Sequence, residues 1–168
     1  MAPLADDLKK YLASAPSGVV ELRTLELSHP DSQFGAPVYL VADYRNFIAR
    51  LETGKEVTFQ ACPFRTSSPR LDESGRIERR LEIDNVSADL SKALNRISDL
   101  KDPVSVVYRV YLSNDPSGPQ KTPVEKTVLT QVVVTAAVIS GTATTPDLIN
   151  RKFPTDLYTA KRFPGLIR

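Results

Sequence analysis

Val104, Val106, Tyr108, Val110 and Leu112 alternate with Ser105, Val107, Arg109 and Tyr111 directly after Pro103. Period two commits this stretch to a strand, because successive side chains point to opposite faces of a sheet. The second set is itself partly apolar, so the strand's other face is expected to be covered as well. A single strand cannot satisfy its own backbone, so a returning partner is required. The run Val128 to Ile139, rich in Val, Thr and Ile, supplies one before Ser140-Gly141. Between the two, Asn114-Asp115-Pro116-Ser117-Gly118-Pro119 is turn chemistry and the loop continues to Pro123. The simplest connection is a long antiparallel hairpin.

The remaining segments add to this sheet. Val57, Phe59 and Ala61 alternate with Glu56, Thr58, Gln60 and Cys62, and Ile77, Leu81 and Ile83 alternate with Glu78, Arg80, Glu82 and Asp84. Both read as half-buried strands. Arg65 to Gly75 lies between them, rich in Ser, Pro, Asp and Gly, and is expected to project as an exposed loop. Pro37 opens a brief strand, Val38 to Val41; Asp43 to Leu51 reads as a helical turn or wide connection before Gly54. From Val19 the apolar set changes faces, Val20 and Leu22 on one and Leu25 and Leu27 on the other, which predicts a bulge or sharp twist. Two helices are expected. Leu4, Leu8, Tyr11, Leu12 and Ala15 form an N-terminal stripe closed by Pro16-Ser17-Gly18, and Val86, Leu90, Ala93, Leu94 and Ile97 form another that Asn85 or Ser87 can cap.

The fold class that follows is α+β, mostly β: a β-sandwich or partly closed barrel with one flanking helix, a short N-terminal helix and an extended C-terminal arm. Residues 1–145 form one domain and residues 146–168 the arm. A hydrophobic fraction of 41% and a charged fraction of 25% fit a globular chain. No apolar run approaches the roughly 18 residues of a spanning helix, so no membrane partner is expected. Met-Ala-Pro-Leu-Ala-Asp-Asp lacks the features of a secretory signal, which predicts synthesis in the cytoplasm.

Cys62 is the only cysteine and His29 the only histidine. One chain therefore cannot build a disulfide, a Cys/His zinc cluster or a histidine-based triad, and neither metal nor cofactor is expected. Cys62 reads as a strand-end structural thiol and His29, before Pro30, as a turn residue. Asp72 with Glu73, or Asp43 with Asp84, can be drawn as a catalytic pair, but each sits where a turn or strand edge calls for a polar residue. Gly75, Gly118 and Gly141 are isolated in turns rather than gathered into a phosphate-cradling loop. Arg76-Ile77-Glu78-Arg79-Arg80-Leu81-Glu82 mixes signs, as cross-strand ion pairing does. No catalytic residue is assigned.

Excess positive charge gathers near the end, where Arg151, Lys152, Lys161, Arg162 and Arg168 face only Asp147 and Asp156 across residues 141–168. These cations are interleaved with apolar residues, so specific nucleic-acid binding is not expected. Phe153, Pro154, Leu157, Tyr158, Arg162, Phe163, Pro164 and Leu166 combine large side chains with prolines that oppose regular structure. These eight are the expected protein-interface residues, because apolar surface of this size is either folded back or docked on a neighbour.

Leu81-Glu82-Ile83-Asp84-Asn85-Val86, the strand Val104 to Leu112 with Ser113-Asn114-Asp115-Pro116, and the closing pattern Lys152-Phe153-Pro154, Tyr158, Arg162-Phe163-Pro164-Gly165-Leu166 resemble minor tail and tail-tip proteins of long-tailed bacteriophages. The resemblance spans roughly residues 20–168; the N-terminal helix departs from it. It implies a virion component at the distal end of the tail, a homo-oligomer around the tail axis that contacts tail tube, distal tail and tail-tip or hub proteins. It carries no catalytic residues. A tail-associated enzyme acting on the host wall and a non-viral protein-binding module are the alternatives from other classes.

Overall fold

A computed structural model of the chain describes residues 6–14, 16–71, 76–84, 92, 94, 102–121 and 124–145. The N-terminal stripe forms helix α1, Asp6–Ser14. Leu8 is its buried anchor, and Lys9 and Asp6 pair one turn apart at 2.9 Å. Gly18 follows at a φ of 99°, a left-handed conformation that glycine adopts without steric cost, and the chain turns into the sheet.

Among the described residues ten strands follow: β1 Glu21–Ser28, β2 Val38–Val41, β3 Phe47–Arg50, β4 Glu56–Ala61, β5 Phe64–Thr66, β6 Arg70–Leu71, β7 Ile77–Asp84, β8 Val104–Leu112, β9 Glu125–Val134 and β10 Val138–Thr144. They form one mixed sheet in the order β3-β4-β2-β1-β8-β9-β10-β7-β5, with β6 also on β7. The fold is α+β and mostly β, and the sheet is not closed into a barrel. It is nevertheless strongly curled. Strands β4 and β5 stand far apart in the order, yet only Cys62 and Pro63 separate them in the chain. The guanidinium of Arg79 on β7 also lies 4.5 Å from the ring centre of Tyr108 on β8, although β9 and β10 intervene.

Curling gives each face its own core. Leu25, Leu27, Leu40, Phe64, Leu81, Ile83, Val104, Val106, Leu129 and Ile139 pack inside the curl, joined by Phe34 and Leu94. Leu22, Val41, Tyr111, Ala49, Leu51, Val57 and Phe59 pack on the other face, under the β3–β4 hairpin. This arrangement explains the change of faces along β1. Its pairing with β2 and β8 runs without a register shift, so no bulge is present; Leu22 serves one core and Leu25 and Leu27 the other.

Four sequence expectations are corrected. The Val-rich run is two strands rather than one: β9 ends at Val134, and Thr135 turns the chain by accepting the Val138 N–H through Oγ1 at 2.9 Å. Gly141, expected in a turn, lies inside β10 opposite a bulge in β9, and a Cβ there would sit 2.9 Å from Leu129 Cδ1. The segment Asp43–Leu51 holds β3, which pairs with β4 from Phe47↔Phe59 to Arg50↔Glu56. The first part of the Arg65–Gly75 loop is likewise paired, since β5 and β6 both hydrogen-bond to β7. Strand β8 matches its expected bounds. Of the expected second helix, Lys92 and Leu94 are described, both helical, and Leu94 is buried.

Candidate functional site

The β2 strand lies between β1 and β4; it ends level with β4, at Val41↔Ala61, and short of the Glu21 end of β1. Its last ladder contacts are Val41↔Thr24 and Val41↔Ala61, followed by the Ala42 N–H on the Arg23 carbonyl and the Cys62 N–H on the Val41 carbonyl, at 2.9 and 3.0 Å. Beyond that point β4 continues through Cys62-Pro63 into β5, and β1 extends back to Glu21. A slot one strand wide is left between them.

Hydrogen-bond parity shows what its walls offer. The Asp84 N–H donates to the Pro63 carbonyl and the Ser67 N–H to the Arg80 carbonyl, both at 3.0 Å. Pro63, Arg65 and Ser67 therefore direct their backbone groups at β7, and antiparallel alternation turns those of Phe64 and Thr66 the other way, into the slot. On the opposite wall, the Ser113 N–H donates to the Val20 carbonyl at 2.9 Å. Even-numbered residues of β1 thus face β8, and Glu21 faces the slot. The resulting cavity is about 690 Å³, lined by Val20, Glu21 and Arg23, by Ala42, by Phe64, Arg65 and Thr66, and by Tyr11 of α1. Arg23 Nε pairs with Glu21 at 3.0 Å; Arg65 has no ion pair among the described residues.

A second cavity of about 240 Å³ adjoins it, sharing Ala42, Phe64 and Arg65 and adding Asp43, Tyr44, Pro63 and Asp84. Asp43 and Asp84 are thereby brought to one recess. Asp43 caps a turn by accepting the Tyr44 N–H at 2.7 Å, and Asp84 ends β7. Cys62 stands beside them, its Sγ 3.5 Å from the Asp84 carbonyl oxygen. Burial, reinforced by the negative charge of Asp84, pushes its thiol above the usual range, which disfavours the nucleophilic thiolate. His29 pins a loop: Nδ1 accepts the Asp31 N–H at 3.0 Å, leaving Nε2 to donate to the Asp102 carbonyl at 2.8 Å.

Two arginine clusters flank the curl. On the outer face Arg109, 3% exposed, donates to Glu26 at 2.8 Å and to both oxygens of Glu52 at 2.8 and 2.9 Å. Burial works against its charge, but the two carboxylates outweigh it and raise the guanidinium pKa. Its Nη1 has no partner among the described residues. Nearby Tyr111 gives its hydroxyl proton to the Arg50 carbonyl at 3.0 Å, and burial pushes its pKa up to about 12. Inside the curl Arg79 pairs with Glu125 at 2.8 Å and lies over Tyr108, while Lys121 also holds Glu125. Arg79 therefore makes the cross-strand ion pairing expected of the mixed-sign run.

Residues 114–121 of the loop after β8 are held against the sheet. The Arg50 N–H donates to the Pro116 carbonyl, the Gln120 N–H to the Val110 carbonyl, and Gln120 is buried. Exposed apolar side chains include Val133 (56%) and Val132 (38%) on the β9–β10 hairpin and Leu71 (76%), which pairs with Ile77, together with Leu12, Val20, Tyr44 and Ile48 elsewhere. Val132 and Val133 were not legible as an interface because they stand within an apolar run, and Leu71 because it is a lone apolar residue in a polar loop. Phe153, Pro154, Leu157, Tyr158, Arg162, Phe163, Pro164 and Leu166 lie outside the described residues, as do Asp72, Glu73 and Gly75.

Among the described residues, no three His, Cys, Asp or Glu side chains are grouped to hold a metal ion, and no helix is long and apolar enough to cross a membrane. The chemistry this surface offers is hydrogen bonding along open strand edges, ion pairing and apolar contact. A search of curated proteins finds no match. Residues 7–158 match the family described as a domain of unknown function, DUF1833, and with most of its length covered the chain belongs to that family.

Proposed function

We propose that this chain is a structural component of the distal tail of a long-tailed bacteriophage, joining tube to tip or baseplate by protein–protein contacts in several copies around the tail axis. It is made in the host cytoplasm and ends in the virion. The observation that carries this reading is the β9–β10 hairpin. Gln131 there has a φ of 52°, and the pairing shifts so that Gln131 and Val132 stand opposite Gly141 alone. The bulge breaks the alternation and leaves Val132 and Val133, neighbours in sequence, both exposed. Bulges of this kind re-aim side chains, and exposed apolar patches mark contact sites. The resemblance carried by Leu81–Val86, Val104–Pro116 and the closing Phe-Pro pattern points the same way. Phe153, Pro154, Leu157, Tyr158, Arg162, Phe163, Pro164 and Leu166 are proposed as the contact residues of the arm.

A wall-degrading tail enzyme is the second reading, favoured by Asp43 and Asp84 lining one cavity. Imaging of intact particles carrying a labelled chain tests the first: a fixed copy number at the distal tail is expected, and absence from particles rejects it. Loss of wall hydrolysis by purified protein on Asp84→Asn would instead select the enzyme. A chain that stays monomeric at high concentration and joins no particle would select a non-viral binding module.

A further inference from the structure

We infer that the slot left by the early end of β2 is a β-strand acceptor site, and that its occupant is a stretch of this chain's own C-terminal arm centred on Asp156-Leu157-Tyr158-Thr159. The site follows from the ladder. Because β2 bonds to β1 on one side and β4 on the other, the gap below Ala42 has the width of one strand. Its walls present backbone groups of Phe64 and Thr66 on one side and of Glu21 on the other that have no partner among the described residues. An open strand edge is a template for another strand, and here an inserted strand finds partners on both flanks.

The occupant follows from where the chain leaves the sheet and from charge. After β10 the Thr145 N–H bonds to the Ile77 carbonyl at 3.1 Å, so the chain departs beside the start of β7. Reaching the slot means crossing β7 and β5 and rising from the level of Ile77 to that of Leu81, a path of about 20 Å at ordinary strand spacings. The ten residues between Thr145 and Asp156 can span over about 30 Å. Tethering makes capture by the same copy far more probable than capture of a free peptide. The stretch Thr155–Arg162 is free of proline, with Pro154 before it and Pro164 after, so it can supply ladder hydrogen bonds that its flanks cannot. With Leu157 and Thr159 turned inward beside Phe64 and Thr66, Asp156 and Tyr158 face out alongside Arg65, whose charge is otherwise unpaired among the described residues. The arm would then be rooted in its own subunit. Leu157 leaves the neighbour-facing set, while Arg162, Phe163, Pro164 and Leu166 remain to meet other proteins.

The test uses the full chain and is independent of any role in a phage tail. In a Cys62→Ser background, Arg65→Cys is combined separately with Asp156→Cys and Tyr158→Cys, and mild oxidation is followed by mass mapping. A within-chain disulfide is expected in at least one pair, with a yield roughly tenfold or more above a Lys55→Cys control on the β3–β4 turn, as a docked rather than freely sampling arm requires. Disulfides formed mainly between chains would mean that another copy fills the slot, and yields equal to the control would mean that the arm does not; either overturns the inference. Hydrogen exchange on the unmodified chain gives a second readout. The Phe64 and Thr66 amides, which face the slot, are expected to be protected like those of the β5–β7 ladder, and fast exchange at both overturns it.

Discussion

Arg109 on β8 spans the outer face of the sheet and gives two hydrogen bonds to Glu52, one to each carboxylate oxygen, at 2.8 and 2.9 Å. Glu52 sits in the turn between β3 and β4, so this fork ties the covering hairpin to the strand beneath it. Glu26 on β1 completes the triad at 2.8 Å. Lone removal of the cation leaves two carboxylates facing each other in a largely buried site. Arg109→Met is expected to cost about 3–5 kcal/mol, the range for breaking a buried ion pair from one side. Adding Glu52→Gln to Arg109→Met should recover part of that loss, because the two positions are coupled. Urea unfolding of the four members of this cycle measures it; strictly additive losses would show that the fork is not a unit.

The same fork sets a pH dependence. Its hydrogen bond from Arg109 holds the Glu52 carboxyl below the ordinary glutamate range, against a smaller opposing effect of burial. For Glu125 burial is the largest single effect and raises the pKa, but Lys121 and Arg79 together outweigh it, so the net shift is also downward. A depressed folded-state value contributes stability that is fully present above the unfolded value and is lost as pH falls through the folded one. Stability should therefore be steady on account of these groups from neutrality to about pH 5 and fall below about pH 4.5. Thermal melts across that window should show a shallower acid loss in Glu52→Gln than in the parent chain.

Gly141 is a packing requirement. An added Cβ would meet Leu129 Cδ1 at 2.9 Å and the Thr130 carbonyl at 3.3 Å, and Leu129 is a buried core residue with little room to withdraw. Gly141→Ala is expected to cost about 1–3 kcal/mol by overpacking, and Gly141→Val more. Combining Gly141→Ala with Leu129→Val should be less destabilised than the sum of the two single changes. Equilibrium denaturation of the three variants tests this.

Much of the fold was legible wherever one periodicity ran unbroken. Val104–Leu112 showed both of its faces, and α1 showed its buried Leu8 and its Pro16-Ser17-Gly18 stop, although Leu12 of the same stripe is exposed. Where a turn lacks the usual residues, the pattern failed. Thr135-Ala136-Ala137 carries no Gly, Pro, Asn or Asp, and the turn is made by a threonine side chain bonding within its own loop, so β9 and β10 read as one run. Strand β3 was missed because only the pairing of its four residues with β4 makes them a strand. The slot was illegible in principle. It depends on where β2 ends relative to β1 and β4, a matter of register between distant segments, and no local pattern around Phe64 or Glu21 records it. The Arg109 triad was hidden for a similar reason, since its three members lie on three separate elements.

The hairpin that carries the proposed function makes the most direct test of it. Val132 and Val133 are exposed, at 38% and 56%, so replacing them should disturb little in the subunit alone; surface substitutions of this kind usually stay within about 0.5 kcal/mol. Burying both against a partner would contribute about 1.5–3 kcal/mol for each fully covered side chain before ordering costs. Val132→Lys with Val133→Lys adds two cations that would have to be desolvated in such a contact, a penalty larger than the lost apolar area. The doubly substituted chain is therefore expected to unfold at nearly the parent's midpoint yet to join particles at a reduced copy number. The milder Val132→Thr with Val133→Thr should fall between the two. The measurement is copy number in purified particles alongside the unfolding midpoint of free protein. Normal incorporation of the lysine variant would remove the hairpin from the interface, and a collapsed midpoint would place the two valines in the subunit's own packing instead.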